Sequence, residues 1–148
     1  MDREELVREY LSHSPKTTEK VAANFAHQLA GQESSITALI GPLGSGKTFF
    51  VQHAARSLGA KGYISSPSFK ILNQYDAKIP IFHFDFYRLK NLDEIINIGF
   101  FDFLSESGIF FIEWPEKFLS FLPTPYYKIT FKIIDKNSRR IAISKIIR

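Results

Sequence analysis

Eight consecutive residues carry the spacing that phosphate binding requires. Gly41, Gly46, Lys47 and Thr48 match every fixed position of the pattern G-x-x-x-x-G-K-[ST], in the run Gly41-Pro42-Leu43-Gly44-Ser45-Gly46-Lys47-Thr48. Glycines let the backbone curl so that successive N–H groups face phosphate oxygens, and a following helix adds the positive end of its dipole. The lysine reaches the β- and γ-phosphates, where it also serves catalysis, and the hydroxyl becomes a Mg²⁺ ligand. The motif predicts an Mg-ATP site, with nucleotide contacts continuing to Phe49.

Two acids follow apolar runs that predict buried strands. Glu113 follows the uninterrupted run Ile109–Ile112, whereas the run before Asp85 is interrupted by His83. In such a fold, the carboxyl ends of the strands open at the site, and a carboxylate there holds Mg²⁺ or its water. We assign Glu113 to the metal and Asp85 to the γ-phosphate side, as a further metal ligand or as the group that orients attacking water. The sequence leaves open whether these two roles are exchanged.

Two other polar residues near Asp85 receive no catalytic role. His83 is expected on the opposite strand face from Phe84. A histidine buried in the core explains this position as well as a functional histidine does. Arg88 is expected to form a structural ion pair with Asp85, although a phosphate contact remains an alternative.

A sheet flanked by helices is needed to position these residues. The first core helix is expected between Ser14, a suitable N-cap, and Gly31. The other helices are expected at Asp2–Leu11, Lys47–Leu58, Leu92–Ile98 and Phe100–Leu104. The strands are expected at Ile36–Ile40, Tyr63–Ile64, Phe69–Tyr75, Ile79–Phe86, Ile109–Ile112, Tyr127–Ile134 and Arg139–Ile147. This alternation predicts a three-layer α/β domain of the P-loop NTPase type, with a mostly parallel sheet, antiparallel additions and a C-terminal β-hairpin.

Composition limits the class of protein. The 148 residues suit one P-loop domain spanning 1–148, with residues 1–13 as an N-terminal extension. There is no cysteine, so disulfides and thiolate metal sites are excluded. No apolar run approaches the roughly 20 residues that span a bilayer, and we expect a cytoplasmic protein with no membrane partner. From Lys117 onward the chain carries eight basic residues and one acid, Asp135. This charge fits a solvated hairpin, a surface facing tRNA or an acidic partner, or a contact of Arg139 or Arg140 with the nucleotide.

Four motifs together resemble one family. In chain order they are Gly41–Thr48, Ser66-Pro67-Ser68-Phe69, His83-Phe84-Asp85-Phe86-Tyr87-Arg88 and Ile112-Glu113-Trp114-Pro115-Glu116. With Ser14-Pro15-Lys16-Thr17-Thr18 before them, they resemble the bacterial tRNA threonylcarbamoyladenosine-biosynthesis ATPases, the TsaE (formerly YjeE) family. The similarity runs from about Ser14 to Arg140. Ser68 stands where the family has threonine, and Phe86 stands where it has leucine.

The resemblance implies a function and partners. It implies slow ATP hydrolysis with Mg²⁺, in company with a transferase of the actin-like fold and that transferase's inactive paralogue. That complex attaches threonylcarbamoyl to the adenosine beside the anticodon in tRNAs that read codons beginning with A, and the ATPase resets it between turnovers; tRNA is contacted through the complex. By motif matching, Lys47 and Thr48 carry the phosphate and metal roles, Glu113 the metal role and Asp85 a hydrolysis role. Thr18 falls where the family's first helix approaches the base.

Three other functions remain alternatives. A GTPase needs an N-K-x-D motif, and Lys90-Asn91-Leu92-Asp93 inverts its first two residues. A small-molecule kinase needs an acceptor pocket and usually a lid bearing arginine, and no lid segment is recognised. A nucleotide-gated binding module with negligible hydrolysis of its own stays open.

Overall fold

A computed structural model describes residues 1–62 and 71–148 of the chain. Its strands are β1 Arg3–Ser12, β2 Ser35–Ile40, β3 Leu72–Tyr75, β4 Ile81–Asp85, β5 Ile109–Glu113, β6 Tyr126–Ile133 and β7 Arg139–Ile147. Its helices are α1 Pro15–Leu29, α2 Lys47–Ser57, α3 Leu92–Asn97 and α4 Phe100–Leu104, followed by a 3-10 helix at Glu116–Phe121.

The described strands form one sheet in the order β1-β7-β6-β2-β5-β4-β3. The four central strands β6, β2, β5 and β4 run parallel, whereas β7, β1 and β3 add antiparallel at the two sides. Asp85 lies beside Glu113 in the register of β4 and β5. Because parallel strands end at the same edge of a sheet, this topology brings the ends of β2, β4 and β5 together.

Helices cover both faces of the sheet. On one face α1 and α2 pack on the sheet through Phe25 and Phe50. On the other face α3, α4 and the 3-10 helix pack through Ile95, Phe100 and Phe118. Strand alternation divides the side chains of β5, so that Phe111 joins the first core and its neighbours join the second. The three-layer α/β fold predicted from the sequence is confirmed.

The ends of most elements lie close to their predicted positions. The Ser14 hydroxyl caps α1 by accepting from the Thr17 N–H at 3.2 Å, and the helix ends at Leu29, two residues before Gly31. The C-terminal β-hairpin of β6 and β7 is confirmed, as is the break between α3 and α4 at Gly99. Phe86 is buried in an apolar core, as its apolar role required.

The predicted helix at Asp2–Leu11 is wrong. Arg3–Ser12 forms strand β1, which pairs antiparallel with β7 and carries an irregularity between Leu6 and Arg8. Nearly all of β1 is exposed, so burial of an apolar face does not drive its formation. Without β1, the edge of β7 would leave its backbone N–H and C=O groups unpaired. Hydrogen bonding between β1 and these groups outweighs the local helical preference of the segment.

Two predictions cannot be compared with the structure. The strand at Tyr63–Ile64 and the motif Ser66-Pro67-Ser68-Phe69 lie outside the described residues, whereas β3 confirms the second half of the strand expected at Phe69–Tyr75. Within the described ranges, no helix is long and apolar enough to cross a membrane.

Candidate nucleotide-binding site

The predicted phosphate-binding loop, residues 41–46, lies between the end of β2 and the start of α2. Gly41 packs so tightly that an added Cβ would lie 2.7 Å from the Ser45 hydroxyl oxygen and 2.9 Å from the Phe131 Cβ. Gly46 precedes α2 with φ 103°, a left-handed conformation that side chains rarely adopt. The glycines therefore serve a close backbone approach and a tight turn. The first turn of α2 directs its N–H groups into the space that the loop encloses.

Lys47 is the first residue of α2, and its side chain is almost fully buried beneath the loop. Its ammonium donates to the Gly41 carbonyl and lies 3.3 Å from the ring centroid of Trp114. Burial lowers the pKa of Lys47, and the nearby carboxylates, with Glu113 foremost, oppose that shift. The positive charge is thus held at the loop by an aromatic face and a carbonyl oxygen.

The predicted metal ligands meet directly. The Thr48 hydroxyl lies 2.8 Å and 2.9 Å from the two carboxylate oxygens of Glu113, to which it donates. Glu113 is only 3% exposed, and its Oε2 also lies 2.6 Å from Nε2 of His83. The structure therefore brings together a hydroxyl and a carboxylate, which are oxygen ligands of the kind Mg²⁺ prefers.

Asp85 lies beside Thr48 and Glu113 but has a different hydrogen-bond partner. One of its carboxylate oxygens accepts the Tyr87 N–H at 2.9 Å. Burial is the main cause that raises the pKa of Asp85, and the Tyr87 N–H partly offsets it. Arg88 is exposed and forms no ion pair with Asp85 in the described part of the chain, so the predicted structural ion pair is wrong.

Trp114 follows Glu113 in an unusual backbone conformation. Its φ of 57° is left-handed, which costs about 1–3 kcal/mol and persists only where the surroundings impose it. The ring covers Lys47 and lies 4.9 Å from the ring of Tyr87. The conformation directs the indole over the cationic end of the site.

A cavity of about 400 Å³ opens above these groups. Its lining includes Gly46, Lys47, Thr48, Asp85, Glu113 and Trp114. The Ser45 hydroxyl oxygen in the loop is buried and has no hydrogen-bond partner among the described residues. A nearby oxygen-rich ligand would satisfy it, because buried polar groups are otherwise costly. No cluster of three or more His, Cys, Asp or Glu side chains in residues 1–62 and 71–148 could hold a metal alone. A Mg²⁺ ion at Thr48 and Glu113 would therefore take its other ligands from phosphate and water, which is its usual habit.

A second cavity, of about 200 Å³, lies on the other side of the loop. Its lining includes Ser14, Thr18, Gly46, Phe49, Asn137 and Arg139. Thr18 is 6% exposed, and its hydroxyl lies 2.7 Å from that of Ser12 in β1. Because Gly46 lines both cavities, they form adjoining parts of one candidate site. Of the two hairpin arginines that the sequence offered for a nucleotide contact, Arg139 lines this cavity.

The basic residues of the C-terminal hairpin do not form one patch. Arg139 donates to the Gly44 carbonyl of the phosphate-binding loop at 3.2 Å, and Lys136 lines the second cavity. In contrast, Arg140 pairs with Glu9 at 3.3 Å, and Lys128 pairs with Glu4 at 2.6 Å. Acids of β1 thus neutralise part of the positive charge that the sequence alone places on this hairpin.

The structure also shows the contacts of His83 and Asn91, whose roles the sequence did not decide. His83 points away from Phe84, as alternation required, and contacts Glu113 rather than the backbone alone. Its position two residues before Asp85 was a usable signal, because both side chains share one strand face. Asn91 caps α3 by accepting from the Glu94 N–H at 3.0 Å, which gives the inverted guanine-type motif a structural role.

Comparison with known proteins identifies the family. A family model described as threonylcarbamoyl adenosine biosynthesis protein TsaE matches residues 12–141. The chain belongs to the TsaE family. Its relatives carry the name tRNA threonylcarbamoyladenosine biosynthesis protein TsaE. One from Rickettsia prowazekii is 36% identical, covering 90% of this chain and 92% of that protein. One from Aquifex aeolicus is 34% identical, covering 94% and 97%.

A solved structure supports the same fold for this TsaE-family chain. The crystal structure of YdiB from Bacillus subtilis superposes with a TM-score of 0.74 at 25% identity, covering 98% of this chain and 87% of that one. The fold is P-loop NTPase-like, and the family takes part in tRNA threonylcarbamoyladenosine biosynthesis. The strand β1 lies almost wholly before the matched residues, since the match begins at residue 12.

Proposed function

We propose that the chain binds Mg-ATP at this site and hydrolyses it slowly as a subunit of the threonylcarbamoyl-transfer machinery for tRNA. The observation that carries the proposal is the contact of Thr48 with Glu113 beside a buried, cationic Lys47. A hydroxyl, a carboxylate and an ammonium at the mouth of a glycine loop suit the metal and phosphate oxygens of a nucleoside triphosphate.

Each residue then has a definite task. The loop from Gly41 to Phe49 binds the phosphates through backbone N–H groups, and Lys47 neutralises charge on the transferring phosphoryl group. Thr48 and Glu113 hold Mg²⁺, which, when bound, neutralises charge that develops on the phosphate oxygens. Asp85 orients the attacking water. This role suits a carboxylate that lies beside Thr48 and Glu113, the proposed metal ligands, but does not contact Thr48.

The second cavity provides a place for the rest of the nucleotide. Thr18 and Phe49 line it on the side of α1 and α2, and Arg139 lines it on the side of the hairpin. We place the base and ribose there, because the cavity adjoins the phosphate loop at Gly46. This placement includes Thr18, as the family resemblance implied.

Membership of the TsaE family supports a proposal about partners. We propose a transferase of the actin-like fold and its inactive paralogue, with tRNA engaged through that complex. A binding module that hydrolyses almost no ATP alone is the second candidate. Within residues 1–62 and 71–148, only the Tyr87 N–H donates a hydrogen bond that orients the Asp85 carboxylate. Turnover measured alone, then with the transferase pair and tRNA, distinguishes the two: turnover that appears only with the partners favours the gated module.

The nucleotide site is tested by Lys47→Ala, with Lys20→Ala as the matched control. Both remove one positive charge, but Lys20 is exposed on α1. Loss of charge-assisted hydrogen bonds worth about 1.5–3 kcal/mol predicts that Lys47→Ala weakens ATP binding by about 10- to 150-fold. Calorimetric titration measures this, and the control should bind as wild type. Near-native ATP affinity in a folded Lys47→Ala protein would refute the assignment of the loop.

The two acids are separated by their different tasks. Glu113→Ala should remove the gain in nucleotide affinity that Mg²⁺ confers, whereas Asp85→Ala should keep that gain and slow single-turnover hydrolysis. Both follow from the contact that Glu113, and not Asp85, makes with Thr48. If Asp85→Ala loses the Mg²⁺ dependence and Glu113→Ala retains it, the two roles are reversed.

A further inference from the structure

We propose that His83 is a positioning residue, which holds the Glu113 carboxylate in place for the metal. This inference rests on the proposed function, because it assigns His83 a role only if Glu113 binds Mg²⁺. It goes beyond that function by naming a buried side chain that touches neither nucleotide nor metal.

The contact is short and fully enclosed. His83 lies in β4 with no exposed surface, and its Nε2 is 2.6 Å from Oε2 of Glu113 in β5. Its Nδ1 is 3.4 Å from the hydroxyl oxygen of Tyr75 in β3. Three neighbouring strands thus place a hydroxyl, an imidazole and a carboxylate in one row beneath the site.

The direction of the hydrogen bond follows from the acceptor. An ionised carboxylate can only accept, so Nε2 of His83 carries the hydrogen and donates to Glu113. Nδ1 of a neutral imidazole is then an acceptor, and the Tyr75 hydroxyl is placed to donate to it. A hydrogen donated from Tyr75 to Nδ1 would favour the tautomer in which Nε2 of His83 donates to Glu113.

His83 supplies a restraint that Thr48 cannot supply alone. The Thr48 hydroxyl has a single hydrogen, which it shares between the two oxygens of Glu113 at 2.8 Å and 2.9 Å. It also lies in the first turn of α2, directly after the loop. His83 comes from a strand, so its bond to Oε2 does not depend on the loop, and residues that orient a ligand in this way typically change metal affinity about 10- to 100-fold when replaced.

A purely structural role for His83 is the competing explanation. Ile81, Ile109 and Phe111 on the same face of β4 and β5 are apolar, and a buried imidazole with satisfied hydrogen bonds could simply fill the core. The two explanations differ in their effect on metal dependence. Packing alone predicts a loss of stability without a selective loss of Mg²⁺ response.

Three substitutions at position 83 separate these explanations. His83→Gln can place an amide N–H about as far from the backbone as Nε2, so it can still reach Glu113. His83→Asn ends near the position of Nδ1 and falls short, and His83→Leu removes both polar groups. ADP affinity is measured by calorimetry with Mg²⁺ and again with EDTA, together with the melting temperature of each variant.

We expect the Asn and Leu variants to lose about 10- to 100-fold of the Mg²⁺-dependent gain, with ADP affinity in EDTA unchanged. The Gln variant should keep the gain to within about threefold, because it restores the donor. Should the Leu variant fail to fold, the comparison of Gln with Asn gives the same answer.

Three results overturn the inference. If Asn or Leu keeps the full Mg²⁺-dependent gain, or if Gln loses as much of it as Asn does, His83 does not act by donating to Glu113. A wild-type protein that shows no Mg²⁺-dependent gain at all overturns the metal assignment in the proposed function, and the inference falls with it. If wild type shows the Mg²⁺-dependent gain and the Asn and Leu variants retain it, only the inference about His83 is overturned, and the metal assignment stands.

Discussion

Replacing Gly41 by alanine tests the close packing on which the phosphate-binding loop depends. An alanine Cβ at this position would lie 2.7 Å from the Ser45 hydroxyl oxygen, 2.9 Å from the Phe131 Cβ and 2.9 Å from the Phe131 carbonyl oxygen. The Ser45 hydroxyl can rotate away. Phe131 cannot, because it is almost fully buried in β6 and its ring packs edge-on against Phe50. The loop must therefore shift.

The expected cost combines two opposing effects. Overpacking a rigid site typically lowers the free energy of unfolding by about 1–3 kcal/mol. Because neither contact with Phe131 can be relieved by a side-chain rotation, we expect a loss of about 2–3 kcal/mol here. Alanine lowers the entropy of the unfolded chain relative to glycine, which offsets about 0.4–1 kcal/mol. The net loss of unfolding free energy is then about 1–2.5 kcal/mol, or about 2–10 °C in melting temperature for a chain of this size.

Gly31→Ala is the matched control. No atom lies within 4 Å of an added Cβ at Gly31, and its φ is outside the left-handed region, so this variant should be as stable as wild type or slightly more stable. Melting temperature is measured by circular dichroism, and ATP affinity by calorimetry. We also expect Gly41→Ala to weaken ATP binding, because Ser45 and the loop N–H groups move. Wild-type stability and affinity in Gly41→Ala, or an equal loss in Gly31→Ala, would refute this reasoning.

Arg139→Gln should lower ATP affinity about tenfold without RNA, since the guanidinium donates to the loop carbonyl of Gly44 and lines the second cavity. Joint replacement of Lys132 and Lys145 by Gln should leave ATP binding unchanged, and it should flatten the salt dependence of tRNA binding if the hairpin contacts RNA. Nucleotide binding should alter the emission of Trp114, the sole tryptophan, because Lys47 must leave its ring to reach phosphate; unchanged emission at saturation would contradict this.

Much of the fold was predictable because local signals and burial agree. The Ser14 cap, the glycine before α2 and the apolar runs of β2 and β5 each specify their element within a few residues. The segment Arg3–Ser12 lacks such agreement. Its residues favour a helix locally, and only the edge of β7, more than a hundred residues away in sequence, makes it a strand.

The residue types at the site were likewise determined by the sequence. Lys47 and Thr48 follow from the loop motif, and Glu113 and Asp85 follow from their positions after apolar runs. Chemical identity and spacing along the chain are enough for these residues, because a glycine loop and a strand end each position their side chains locally.

Only the tertiary structure decided which groups touch. The order β2-β5-β4 places Glu113 between Thr48 and His83, and the return of the C-terminal hairpin brings Arg139 to the loop at Gly44. The same arrangement pairs Arg140 with Glu9 and so divides a charge cluster that looks continuous along the chain. These contacts depend on strand order and register. Strand order and register arise from the packing of segments that are distant in sequence, so no short segment determines them.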